Sequence, residues 1–231
     1  MKNIISCEVV IAYGQCELKS FLLLFTDNKG SPHEYISIIE DETRKNRGSF
    51  FSQLKIKNPN IQSYSPDAMK KGVPIMIQAT LSSECLTTYV DALVRQEKPL
   101  HVKNHNYIPA LVVGTFKISK EQKLHLAFTG YVLSKLQKKM PVSGIIFAGG
   151  NKAHKIKMEP YIKEVEQIHR KLTSWISKAK PEPPPIILNK HCHYCPFHLE
   201  CEIKAKEQDH LSLLDGISTS KQIKKYEKRG G

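Results

Sequence analysis

The chain has 231 residues, of which 40% are hydrophobic and 25% charged; this is the globular range and excludes wholesale disorder. A formal net charge of +13 and a pI near 9.4 favour a polyanionic partner, nucleic acid first, although a Lys-rich solvated surface gives the same balance. The longest apolar run, Phe21 to Phe25, is far too short to span a membrane, and Met1 to Cys7 lacks the long apolar core of a signal peptide, so the expected compartment is the cytoplasm, with cysteines reduced and no membrane partner.

In chain order, Glu8 to Ala12 reads as a short strand, followed by a helix that starts near Cys16. Asp27 to Pro32 is a turn cluster. His33 to Leu54 carries Ile36, Ile39, Thr43, Phe50 and Leu54 at helical spacing, which predicts one amphipathic helix with Gly48 as a point where it could break. Ile75–Leu81 and Leu86–Arg95 are rich in β-formers and predict a hairpin turning at Ser82 to Glu84. Tyr107–Gly114 is apolar enough for a central strand. A helix over Ser119–Gln137, strands over Gly144–Ala148 and His154–Met158 around the Gly149-Gly150-Asn151 turn, and a helix over Glu159–Lys178 complete the core. Pro181 to Pro185 forms a stiff spacer, and the basic tail from Lys221 is expected to fray. The order of elements predicts an α/β fold with a mixed sheet.

After the spacer come Cys192, Cys195 and Cys201, spaced C-x2-C-x5-C. Three thiolates this close cannot all pair as disulfides but can share one metal centre, because C-x2-C sets two sulfurs on one side of a tight turn. Such centres take four ligands, and the best fourth is Cys16, near the other end of the chain. Zinc would accept four thiolates, and so would a 4Fe–4S cluster. The split of ligands between the chain ends, Pro196 directly after Cys195, and the lack of a second C-x2-C favour iron–sulfur. His191, His193 or His198 could replace one Cys, whereas Cys7 and Cys85 lie in strand-like contexts and read as small buried hydrophobes.

With Cys16 at a helix start, an α/β core and the C-terminal C-x2-C-x5-C, the chain resembles the RecB-type nucleases of the PD-(D/E)XK superfamily. More narrowly, it resembles the branch carrying a 4Fe–4S cluster, which includes the CRISPR-associated exonucleases. The segments Val113 to Leu124 and Glu182 to Cys192 are similar to a group of bacterial RecB-like nucleases. The resemblance implies a restriction-endonuclease-like mixed-sheet core with flanking helices over residues 1–215, followed by a basic tail over 216–231. It also implies DNA as substrate and Mg²⁺ or Mn²⁺ as the catalytic cation.

That chemistry needs an Asp and then an acid-x-Lys on the next strand: the carboxylates hold the cation, and the lysine neutralises developing charge. Asp91 matches the first acid and would be the metal ligand, and Lys117 matches the lysine. Thr115 stands where the second acid is expected, a weak neutral substitute, so the cluster motif reads as intact and the nuclease motif as eroded. His125 and Thr129 occupy the positions of the family's helical Gln and Tyr, and Thr43 and Arg47 lie along the early helix where a His is expected. Glu34, Glu40 or Glu121 could supply a migrated carboxylate. Two functions therefore follow: a RecB-like nuclease, or a non-catalytic DNA-binding module on the same fold. A zinc-stapled interaction protein is a third. The lysines at 117, 120, 123, 135, 138, 139, 152, 155 and 157 are expected to form a phosphate-tracking surface.

Overall fold

A computed structural model describes residues 4–97, 105–150 and 152–228. Among these, Ile5–Ser6 is a two-residue strand (β1), and Ser6 then caps a helix, α1 (Cys7–Gln15), by accepting the Val9 N–H. The strand expected over Glu8 to Ala12 is therefore helical. Val9, Val10 and Ala12 are all buried there, and a capped start outweighs the β-branched propensity of a valine pair whose burial is set by neighbouring helices. Cys7 accordingly opens a helix, and Cys85 lies in the β-hairpin turn. The second helix, α2 (Glu17–Phe25), begins directly after Cys16. The third, α3 (Glu34–Lys57), runs unbroken through Gly48, which points into open space and lets the helix continue.

The sheet is built from β2 (Gln62–Ser63), β3 (Ile75–Ser83), β4 (Leu86–Arg95), β5 (Tyr107–Val112), β6 (Ser143–Ala148) and β7 (Lys152–Lys157), in that spatial order, with β1 added against β4. A short helix, α4 (Pro66–Lys71), joins β2 to β3. It is capped by Ser65 and ends on Gly72 in the left-handed region. The strands β3, β4 and β5 form an antiparallel meander. The crossover through α5 (Lys120–Gln137) then makes β6 parallel to β5, and β7 returns antiparallel. The mixed α/β architecture is as the order of elements predicts.

One sheet face packs on α1 and α5, over which α6 (Glu159–Ile176) lies, around Met76, Leu93, Phe128, Leu133 and Val165. On α6, Ile162, Val165, Ile168, Leu172 and Trp175 recur at helical spacing and are all buried, and Trp175 meets the Phe21 ring of α2 edge-on at 5.6 Å. The other face holds a smaller cluster, Phe50, Ile77, Ala92, Ala110 and Val112, covered by α3. Beyond the proline spacer come a 3₁₀ turn over Cys192–Tyr194, α7 (His198–Glu207) and α8 (Ser220–Glu227). The tail thus forms a Thr219-capped helix with Ile223 buried where fraying was expected. Asn151 of the expected turn and the last residues of the tail, 229–231, lie outside the described residues. No described helix is long and apolar enough to cross a membrane.

Candidate functional site

Cys16 is both the last-turn cap of α1, its N–H donating to Ala12 O, and the N-cap of α2. Its extended backbone, φ −162° and ψ 122°, separates α1 from α2. The C-terminal cysteines are brought to it by side-chain and backbone ties. Asn189 donates from Nδ2 to Gln15 O at 3.3 Å and from its N–H to Cys192 Sγ at 3.3 Å, and its Oδ1 accepts the His191 N–H at 2.8 Å. Pro196 O accepts the Ser31 N–H at 2.9 Å, and a Cβ on Gly30 would lie 2.5 Å from the same oxygen, so the knot rests on bare backbone.

Cys16, Cys192, Cys195 and Cys201 line one cavity, floored by Leu18, Leu22 and Phe197. Burial pushes the thiols of Cys16 and Cys192 up and that of Cys201 up to about 11, and in each case the charge of its companion cysteines adds to the effect. None of the described cysteines is in a disulfide. The donor set suits a thiolate-bound centre, whose metal would replace the protons that burial holds on. A single zinc would draw four sulfurs to about 3.8 Å from one another, given Zn–S distances of about 2.3 Å. Among the described residues no group of three or more His, Cys, Asp or Glu is placed to hold a metal ion. His191 and His198 also line the cavity; burial lowers the His191 pKa, and His198 lies 3.5 Å from Glu202.

The second candidate centre lies where β4 loses its neighbours. On one side β4 pairs with β3 throughout, except that Gln78 and Asp91 form no pair and Gln78 adopts φ +55°. On the other side β1 pairs only with Leu86 and Thr87, and β5 only with Ala92 to Arg95. Thr88 to Asp91 thus face no strand there, and side chains take over the ladder. The neutral ring of half-buried His125 donates from Nε2 to Tyr89 O at 3.1 Å, and Thr88 and Thr129 share a hydroxyl contact of 3.0 Å. Asp91 Oδ2 accepts the Val112 N–H at 2.7 Å. Such irregularities re-aim side chains and cluster near functional sites.

The Asp91 side chain is fully buried. Its Oδ1 lies 2.7 Å from Arg47 Nε, with neither atom making a directed hydrogen bond, so the contact is an ion pair. The Arg47 guanidinium also stacks over the Tyr89 ring, 5.3 Å from its centroid. Burial raises the Asp91 pKa and outweighs the opposing pull of Arg47 and of the Val112 and Tyr89 hydrogen bonds. Among the described residues no second carboxylate is among the groups acting on it: Glu34 and Glu40 are solvent-exposed, and Glu121 interacts with Ser119, His191 and Lys120 instead. Burial, together with the Arg47 charge, holds His125 down at about 4 against its hydrogen bond. One carboxylate with both oxygens committed, no second acid and a fixed guanidinium do not fit a divalent cation, which needs several free oxygens and its own waters.

Thr115 is committed to its own loop: its hydroxyl donates to Lys117 O and accepts from Gln122 Nε2, both at 2.9 Å. The Lys117 side chain is exposed. The structure therefore brings the four predicted cysteines to one cavity but leaves Asp91 in a sealed notch and Lys117 on the surface. Sequence reasoning missed Arg47 as the partner of Asp91. The signal was its spacing, since Ile39, Thr43, Arg47, Phe50 and Leu54 recur at three or four residues and share one face of α3. No protein-family model and no curated protein matches the chain.

Proposed function

We propose that this chain is a DNA-binding module on a RecB-like, restriction-endonuclease-like fold, stapled by a 4Fe–4S cluster on Cys16, Cys192, Cys195 and Cys201, and that it does not cleave DNA. The observation that carries the non-catalytic reading is the Arg47–Asp91 contact: the carboxylate matching the family's first metal ligand already has a cation. The antiparallel meander followed by a parallel helical crossover supports the fold assignment, and the shared cavity of the four cysteines supports the staple. The cluster supplies a covalent cross-link between chain ends. The surface lysines and the net charge support a polyanion as partner.

The test uses full-length protein reconstituted anaerobically with iron and sulfide. Brown protein with matching iron and sulfide, lost in Cys16→Ser, supports the cluster, and a colourless protein with one zinc overturns it. Labelled DNA with Mn²⁺ should be bound in a salt-sensitive way and left intact. Cleavage by the wild type that Asp91→Ala abolishes would reinstate a nuclease.

A further inference from the structure

We infer that Phe116 is a stacking platform for an unpaired base, which makes the bound form single-stranded; this rests on the DNA-binding reading above. Phe116 is 87% exposed, yet its loop is tightly held. Thr115 O accepts the Gly149 N–H at 3.2 Å, and the Thr115 hydroxyl bridges Lys117 O and Gln122 Nε2. Gln122 in turn closes the capping box of Ser119 that starts α5. The ring lies against Gly149, where a Cβ would come within 2.9 Å of Cδ1, and Gly149 and Gly150 take φ of +40° and +71°. The glycine makes room for the ring beside the turn, and the ring packs in neither hydrophobic cluster.

Around this ring the surface is basic. Lys117 adjoins it, and Lys152 follows the glycine turn and pairs in register with Ala148. Lys155 and Lys157 lie further along β7, the last strand of the sheet, with their side chains on the opposite face of the strand from Lys152, so Lys117 and Lys152 are the cations nearest the ring. These four are exposed and make no ion pair among the described residues, whereas Lys120 is held by Glu164 at 2.8 Å. Lysines on an edge strand also guard against strand-to-strand aggregation, but that role gives no reason for a fixed, exposed phenylalanine beside them. An aromatic face next to unpaired cations is complementary to a nucleobase with its phosphates, and only a base outside a duplex offers its own face for stacking.

The experiment measures fluorescence anisotropy of labelled oligo(dT) and of a blunt duplex of equal length, across a salt series, with the full-length protein. Phe116→Ala is expected to weaken oligo(dT) binding on the order of tenfold, with an unchanged salt slope and unchanged duplex affinity. Phe116→Trp is expected to restore affinity, with its emission quenched by oligo(dT); the native Trp175 is buried and stays silent. Lys117→Glu with Lys152→Glu should instead flatten the salt slope. Unchanged oligo(dT) affinity in Phe116→Ala, an equal loss on duplex, or an unquenched Trp overturns the inference while DNA binding itself stands. No binding of either DNA by the wild type at low salt overturns the DNA-binding reading with it, and leaves the ring as a protein contact.

Discussion

Arg47 and Asp91 are a buried ion pair whose two halves are unequally covered: the Asp91 side chain is fully buried and that of Arg47 is 34% exposed. Removing the cation strands a buried charge, so Arg47→Met should cost about 3 kcal/mol in urea unfolding at neutral pH, and adding Asp91→Asn should recover much of it. Burial already holds the Asp91 pKa above its unfolded value, and Arg47→Met raises it further. A carboxyl raised in the folded state favours folding where it is protonated and loses that advantage as pH rises, so the penalty of Arg47→Met should shrink toward acidic pH. His125 works the other way. Its folded pKa of about 4 lies below the ordinary imidazole value of 6.5, so the unfolded chain takes up the proton first and stability falls as pH drops between those values. That contribution is up to about 3 kcal/mol at about 1.4 kcal/mol per pH unit, and His125→Gln should remove this part of the slope in unfolding measured at successive pH values.

Between elements, two glycines of similar appearance in sequence have opposite meanings. A Cβ on Gly114 would lie 2.6 Å from both Ile39 O and Thr43 N, where α3 crosses the end of β5. Asn46 Nδ2 bonds Val113 O at 2.9 Å beside this crossing, so the helix cannot easily back away. Gly114→Ala should therefore destabilise by about 1–3 kcal/mol through a clash with backbone. Gly48, inside α3, has nothing within 4 Å of its Cβ position, and Gly48→Ala should stabilise by about 0.5–1 kcal/mol through helix propensity alone. Thermal or urea unfolding of the two variants checks both signs. Spacing within one helix is legible in the sequence, as the apolar stripe of α6 shows. Contact between α3 and Gly114 was not, because it depends on where a distant helix crosses the sheet.

At the scale of the molecule, the C-terminal segment meets α2 around buried Phe197 and is tied by hydrogen bonds to the end of α1 and to the loop after α2. Asn28 Nδ2 reaches Glu200 Oε1 at 3.1 Å, Ser31 N–H reaches Pro196 O, and Asn189 reaches Gln15 O. A cross-link closing so long a loop is worth on the order of 5 kcal/mol in the simple chain-entropy account. With the proposed cluster in place, Cys16→Ser or iron chelation should lower the melting temperature and admit proteolysis first near Pro181 to Pro185. Equal protease resistance with and without iron would show that the packing alone holds the ends together.

The sequence by itself determined α5 and the amphipathic stripe of α6, because helical periodicity is encoded within a few residues, and it singled out the four cysteines that line one cavity. It misread Glu8 to Ala12, where the Ser6 cap and burial among α5 and α6 outweighed valine's preference for strands. Only the tertiary structure decided what Asp91 does. Its role rests on a gap between β1 and β5 along β4, and on Arg47 arriving from a helix on the second face of the sheet. An electrostatic pairing across elements follows from three-dimensional register, and no local pattern in the chain carries that register.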